Sequence, residues 1–109
     1  MSVIFIPKVQ EYLDELVPIL YENGYFVFES AAHNYVESLI DDIMADLPTR
    51  QHRPAPPHFD KYGKGMYYTF FRKNKRTTWY VFFTKYLNNG ETIYLVRYIA
   101  NNHVIAQFL

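Results

Sequence analysis

The 109-residue sequence predicts an α+β fold, in which an N-terminal strand and a two-helix hairpin are followed by an antiparallel β-meander, with the helices packed on one face of the meander. Apolar residues recur at helical spacing up to Pro48, and after Gly63 their period changes to two. Asn89-Gly90 then interrupts the alternating region, as is typical of a two-residue hairpin turn. At this length the chain is expected to form a single domain over residues 1–109.

The N-terminal segment predicts a strand and then a helix. Val3–Ile6 is a short apolar run ended by Pro7, which indicates an edge strand. Pro18 lies inside the following helical pattern and predicts a kink or an end to its regular part, and Asn23-Gly24 is a stop signal. The apolar positions of this helix are Val9, Tyr12, Leu13, Leu16, Val17 and Leu20.

A second helix is predicted from an N-cap at Ser30 to Pro48. Its apolar positions form one stripe, made of Tyr35, Val36, Leu39, Ile40, Ile43, Met44 and Leu47. Residues 49–63 hold three of the six prolines and two of the four histidines, which predicts a loop. This loop is long and basic, so both a functional role and a plain connection are open interpretations.

Three strands are predicted at about residues 65–73, 77–86 and 92–101. A turn at Asn74-Lys75 would pair Arg72 with Thr77 and fix which side chains share a face. The face expected under the helices carries Tyr68, Phe70, Trp79, Val81, Phe83, Val96 and Tyr98. The second face is expected to carry Thr69, Phe71, Lys73, Arg76, Thr78, Tyr80, Phe82, Thr84, Leu95 and Arg97, joined by Asn101 and His103 if the last strand keeps its phase.

The second face mixes hydroxyls, aromatic rings and cations, a combination that suits nucleic acid, because bases stack on aromatic rings and cations attract phosphates. The alternative is that Phe71, Phe82 and Leu95 form a second small core under the N-terminal strand or the long loop.

Charge is strongly segregated along the chain. Residues 1–48 contain nine acidic residues and one basic residue, whereas residues 49–109 contain ten basic residues and two acidic ones. Because so many charges cannot all pair internally, this division predicts a basic surface for an anionic partner. Internal neutralisation of the two halves is the competing interpretation.

Other classes of protein are disfavoured. No apolar run approaches the length of a membrane span, and the N-terminus lacks the pattern of a signal peptide, so a cytoplasmic location without membrane association is expected. There is no cysteine for a disulfide or a thiolate metal site. His52 and His58 flank the prolines without a clear third ligand, so no metal site is expected.

The order of elements resembles the RelE/ParE toxin superfamily of bacterial type II toxin–antitoxin systems. The similarity extends to YFVFESAAHNYVESLIDDI around the second helix, RTTWYVFF on the middle strand and YLVRYIANNH on the last strand. RelE-like members cleave messenger RNA on the ribosome without a metal or other cofactor, whereas ParE-like members poison DNA gyrase. Both are neutralised by an antitoxin. The resemblance therefore implies a ribosome-dependent endoribonuclease, or alternatively a gyrase-inhibiting or catalytically silent relative.

The same resemblance implies an antitoxin partner, with a homodimer or a toxin–antitoxin hetero-oligomer as the assembly. Arg76 matches the arginine that opens the family's middle strand, and His103 and Arg97 fall near the functional end of the last strand. The pair of sheet lysines found in some ribonuclease members has no match here. A small nucleic-acid-binding domain without a partner gene is a further alternative.

Cleavage requires a general base, a general acid and a cation near the phosphate. The imidazole of His103 suits either proton transfer, and Arg76 and Arg97 could contact phosphate. Tyr80 could stack a base or donate a proton. The residues expected to bind RNA phosphates are Lys64, Arg72, Lys73 and Lys75. The competing interpretations are a surface histidine at 103, an Arg97 that pairs with a helix carboxylate, and a Tyr80 that only packs in the sheet.

Overall fold

The computed structural model describes residues Met1–Leu109 and shows an α+β protein with two helices on one face of a five-stranded sheet. The strands are β1 (Ser2–Phe5), β2 (Arg53–Pro54), β3 (Tyr67–Arg72), β4 (Thr78–Asn88) and β5 (Glu91–Asn101). The α-helices are α1 (Pro7–Glu22), α2 (Glu29–Asp46) and the short α3 (Asn102–Ile105), and 3₁₀ turns cover Leu47–Thr49, Pro57–Tyr62 and Ala106–Phe108. No helix has both the length and the apolar character needed to cross a membrane.

The sheet has the order β1-β5-β4-β3-β2. β1 is an edge strand as predicted, and it lies parallel to β5, with Val3 opposite Tyr94. The remaining pairs are antiparallel. Asn89-Gly90 forms the predicted turn between β4 and β5, since both residues have positive φ, 52° and 81°.

The main core lies between the two long helices and one face of the sheet. Leu13, Leu39 and Ile43 from the helices are almost completely buried against Trp79 and Val81 of β4. The indole Nε1–H of Trp79 donates a hydrogen bond to the Tyr35 hydroxyl of α2 (2.9 Å), so the polar atom of this buried ring has a partner.

Of the helix predictions, the Asn23-Gly24 stop is confirmed and the N-cap of the second helix is wrong. α1 continues as a helix through Pro18 to Glu22, so it does not end at that proline. Pro18 is exposed on α1, so the amide hydrogen bond that it removes is lost on the solvent side. The N-cap of α2 is Phe28, two residues before Ser30, and no side chain caps it.

The predicted faces are correct for β4 and wrong for β3. The turn after β3 is longer than two residues, because the Asn74 side chain accepts hydrogen bonds from the amides of Arg76 and Thr77 (both 2.9 Å). Arg72 therefore pairs with Thr78, one residue later than predicted. A shift of one residue reverses every side chain of a strand, so Phe71 lies under the helices and Phe70 lies on the second face.

A β-bulge changes the phase of β5. The register slips between Phe82 and Phe83, which pair with Tyr98 and Val96 and leave Arg97 as the extra residue. Tyr98 consequently moves to the second face, against the prediction. Asn101 pairs with Trp79 and borders the helix side, which also corrects its predicted placement.

The proline-rich segment covers part of the second face. Phe59, in the 3₁₀ turn at Pro57–Tyr62, is 1% exposed and its ring centroid lies 4.4 Å from that of Phe82. The segment that was predicted as a loop therefore packs on the sheet through a 3₁₀ turn, and it also contributes strand β2. A second small core results, as the alternative interpretation held for Phe82, although Phe71 belongs to the main core. We call this region the covered half; its buried members are Phe59, Met66, Phe82, Ala100 and Ile105.

Candidate nucleic-acid interface

The rest of the second face is left uncovered at the end nearest the β3–β4 turn. We call this region the open half; its members are Tyr68, Phe70, Arg72, Thr78 and Tyr80. The Phe70 side chain is 52% exposed and its ring centroid lies 6.5 Å from that of Tyr80. Tyr68 lies on the other side of Tyr80, at 6.2 Å. Phe70 is the exposed ring of this group, whereas Tyr68 and Tyr80 are half-buried, pack against the covered half and expose only part of their surface to the solvent. A base can stack on Phe70 and border the two tyrosines.

A groove of about 720 Å³ runs along the rings of Tyr68, Phe70 and Tyr80. Arg50 and Arg53 line it together with Tyr68, Phe70 and Tyr80. Since strand β2 is only two residues long, the groove lies where the outer edge of β3 has no neighbouring strand.

Arg50 is held in place at this groove. Its Nη1 donates a hydrogen bond to the Phe70 carbonyl (2.9 Å), its guanidinium lies 4.4 Å from the centre of the Phe71 ring, and its Nη2 is 4.0 Å from Asp46 Oδ2. The guanidinium therefore satisfies a carbonyl of β3 that has no strand partner. This contact limits the pairing of β3 with a strand of another chain at that position.

The β3–β4 turn places cations at the end of the open half. Arg72, Lys75 and Arg76 are exposed, and none has a carboxylate within 4.0 Å. Lys73 differs, because its ammonium donates to Ser38 Oγ (2.8 Å) and Asp42 Oδ2 (3.0 Å) of α2. Three of the four cations around this turn thus have no carboxylate partner, while Lys73 ties the turn to α2.

His103 is brought to the same end of the sheet as Arg76. The Asn102 side chain donates to the Arg76 carbonyl (3.1 Å) and accepts from the Thr78 amide (2.9 Å), which fixes the start of α3 against the turn. The amide of His103 donates to Asn101 Oδ1 (2.9 Å). The exposed imidazole borders a second groove, of about 570 Å³, on the helix side of the sheet, which corrects the prediction that it shares a face with Tyr80.

Arg97 lies apart from these residues, in the covered half. At about 3.3 Å per strand residue it is roughly 20 Å from Arg76 along the sheet. Its Nε donates to Thr84 Oγ1 (3.1 Å) and its Nη2 to the Tyr86 hydroxyl (2.8 Å), so the predicted alternative of a helix carboxylate partner is wrong. Hydrogen bonds from Thr84 and then from Arg97 lower the pKa of the Tyr86 phenol. Lys64 is also distant, since it precedes β3 at the opposite end of that strand.

The charge pattern predicted from the sequence is reflected in the structure. Of the ten basic residues after Pro48, only Arg50 and Lys73 have a carboxylate within 4.0 Å. The two halves of the chain therefore do not neutralise each other through direct ion pairs, and eight basic residues of the C-terminal half have no carboxylate within 4.0 Å.

Sequence reasoning missed the contributions of Arg50, Arg53, Tyr68 and Phe70 to this interface. The basic character of residues 49–63 was a signal for the two arginines. No signal identified the two aromatic residues, because the length of the preceding turn decides which face they occupy. No group of three or more His, Cys, Asp or Glu side chains comes together in a way that could hold a metal ion.

No protein-family model, curated protein or solved structure matches this chain significantly. The resemblance to RelE/ParE toxins therefore depends on the sequence motifs, and a function has to be inferred from the geometry of the site.

Proposed function

We propose that this chain is a RelE/ParE-like toxin of a type II toxin–antitoxin system and acts as a ribosome-dependent endoribonuclease on messenger RNA in the cytoplasm. The observation that carries the proposal is the open half, where three aromatic rings lie between Arg50 and Arg53 on one side and the cations of the β3–β4 turn on the other. This combination suits a single RNA strand, because its unstacked bases can stack on aromatic rings and its phosphates attract cations.

The order of elements also supports the proposal. A strand, two helices on one face and an antiparallel meander are what the family resemblance implies. The antitoxin would be the cognate partner that neutralises the protein.

The chemistry would use groups at the end of the sheet. Arg76 is exposed and free of carboxylates, so it can bind a phosphate and stabilise the charge that develops during cleavage. His103 can transfer one proton. The imidazole and the Tyr80 phenol lie on different sides of the sheet and cannot both reach one phosphate, so Tyr80 serves as a stacking group and a group of the ribosome or of the RNA itself would supply the second proton transfer.

That separation favours a second candidate function, which is binding without cleavage. A toxin of this kind would inhibit DNA gyrase, as ParE-like proteins do, or be a catalytically silent relative. The specific observation is that Arg76, His103, Tyr80 and Arg97 do not converge on one point.

Expression of the chain in bacterial cells, with transcript ends mapped after induction, distinguishes the two functions. The first predicts translation arrest with new 5′ ends in translated messages, and it predicts that Arg76→Ala and His103→Ala each abolish both. Lys61→Ala removes an exposed lysine next to Tyr62, on the proline-rich segment, and serves as the matched control that should behave as the parent. Growth arrest with intact transcripts and gyrase-dependent DNA damage that survives both substitutions would instead support the second.

A further inference from the structure

The guanidinium of Arg97 is a half-buried cation with only neutral partners. Its two hydrogen bonds go to the hydroxyls of Thr84 and Tyr86, and no carboxylate lies within 4.0 Å. A buried or half-buried charge is costly unless an opposite charge or strong hydrogen bonds compensate it. Hydroxyl groups hold the guanidinium in position but leave its charge uncompensated.

The backbone around Arg97 is shaped to place this side chain. The bulge opposite Phe82 and Phe83 inserts Arg97 as an extra residue in β5. Gly63 has a φ of 151°, and a Cβ there would lie 2.7 Å from the Cδ of Arg97. Only glycine leaves space for the arginine side chain at this point, so two local features of the fold serve the same guanidinium.

Arg97 borders a groove of about 290 Å³ at the edge of β5 beyond the end of β1. Lys8 from the first turn of α1 lines the same groove, together with the phenols of Tyr12, Tyr62 and Tyr98. No acidic residue lines it. The rings of Tyr62 and Tyr98 stack with their centroids 3.8 Å apart, which makes one wall rigid.

The phenols of Tyr12 and Tyr98 in the groove are protonated at neutral pH, and that of Tyr98 already shares a hydrogen bond with Tyr62. Burial raises the pKa of the Tyr12 phenol. Burial, and then a hydrogen bond with Tyr62, raise the pKa of Tyr98. Both phenols therefore keep their protons well above neutral pH.

We propose that this groove is a phosphate-binding site, in which Arg97 and Lys8 supply the charge and the surrounding tyrosine hydroxyls supply further donors. Two cations exceed the single negative charge of a carboxylate, whereas a phosphate group carries up to two negative charges and offers three or more oxygen acceptors. The site is separate from the open half and does not depend on the function proposed above. The phosphate could belong to a small phosphate ester or to the backbone of a nucleic acid.

The test is a titration of the intact protein, followed through the Nε–Hε resonance of Arg97 by NMR. Inorganic phosphate and a short single-stranded uridine oligonucleotide are the two probes, and sodium chloride at equal ionic strength is the reference. Phosphate is expected to shift this resonance saturably, while chloride is not. Saturation by phosphate alone identifies a free phosphate ester as the ligand class, and saturation by both probes identifies a nucleic-acid backbone.

Variants connect the binding to the residues. Lys8→Gln removes an exposed charge without touching the core, and the loss of one charge-assisted contact should weaken phosphate binding about ten-fold, as seen through the Arg97 resonance. Phosphate should raise the Tm of the parent protein, because a ligand that binds the folded state stabilises it, and Arg97→Gln should abolish that rise. Lys85→Gln removes a lysine whose ammonium lies over the Tyr67 ring, outside the groove, and should bind phosphate as the parent does. The proposal is overturned if phosphate moves the Arg97 resonance no more than chloride does, or if Lys8→Gln binds phosphate with unchanged affinity. If Arg97→Gln does not fold, the phosphate affinity of Lys8→Gln decides the test on its own.

Discussion

Replacement of one phenylalanine in each half of the second face should give very different losses of stability. Phe59 in the covered half is 1% exposed, whereas Phe70 in the open half is 52% exposed. A fully buried phenylalanine removes about 200 Å² from water, and its truncation to alanine costs about 3–5 kcal/mol, because a cavity adds to the lost transfer free energy. For Phe70 only about half of that area is lost and no cavity forms, so the cost is about 1–2 kcal/mol.

Urea denaturation of Phe59→Ala and Phe70→Ala, followed by tryptophan fluorescence, measures these two losses. In a domain of this size 1 kcal/mol corresponds to about 4 °C in Tm, so Phe59→Ala should melt roughly 12 °C or more below the parent protein. The unfolding free energy should fall further for Phe59→Ala than for Phe70→Ala, by about 1 kcal/mol or more. Equal losses, or a larger loss for Phe70→Ala, would refute the division of this face into a covered and an open half.

Three further predictions concern charge and ionisation. Lys75→Ala should reduce the slope of log affinity against log salt for single-stranded RNA by about 0.7, the value for one lost phosphate contact, as measured by fluorescence anisotropy; an unchanged slope would show that Lys75 contacts no phosphate. Because burial raises the pKa of Tyr12 above the ordinary 10.0, the folded state keeps a proton that the unfolded chain loses, so stability is full below pH 10 and falls as the pH rises further. Tyr12→Phe should flatten that alkaline decline in a series of urea titrations, and an equally steep decline would contradict the origin given for it. Asp42→Asn should lower the unfolding free energy by about 1 kcal/mol or less, since it weakens the contact with Lys73 at a partly exposed site, and it should leave RNA affinity unchanged.

Much of the architecture could be predicted from the sequence because single physical signals determine it. The stripe from Val36 to Leu47 repeats at helical spacing, and it forms the buried side of α2. Asn89-Gly90 combines two residues that tolerate positive φ, which fixes the last hairpin. β4 was assigned the correct faces because three of its core residues alternate without interruption.

The site was harder to predict because its geometry depends on small irregularities. An extra residue in the turn at Asn74 reverses β3, so the prediction placed Phe70 in the core. The bulge beside Phe83 reverses Tyr98 but leaves Arg97 on its predicted face. Neither irregularity changes the alternation of apolar residues enough to be visible in one sequence.

The covering of the second face was also beyond the sequence pattern. Phe59 and Tyr62 follow the prolines with no periodicity around them, and only their contacts with Phe82 and Tyr98 show that the segment closes over the sheet. The open half is the part of the second face that this segment does not cover. The sequence could predict that this face mixes rings and cations, but not which part of it is accessible.

The affinity of Phe70→Ala for a short unstructured single-stranded RNA, measured by fluorescence anisotropy, tests most directly whether the open half binds RNA. Leu87→Ala is the matched control, since Leu87 is 77% exposed at the distant β4–β5 hairpin. Loss of one stacking platform costs about 1–3 kcal/mol, so Phe70→Ala should bind about 5- to 150-fold more weakly than the parent, while Leu87→Ala binds equally well. Equal affinities of Phe70→Ala and the parent protein would contradict the assignment of this surface to RNA.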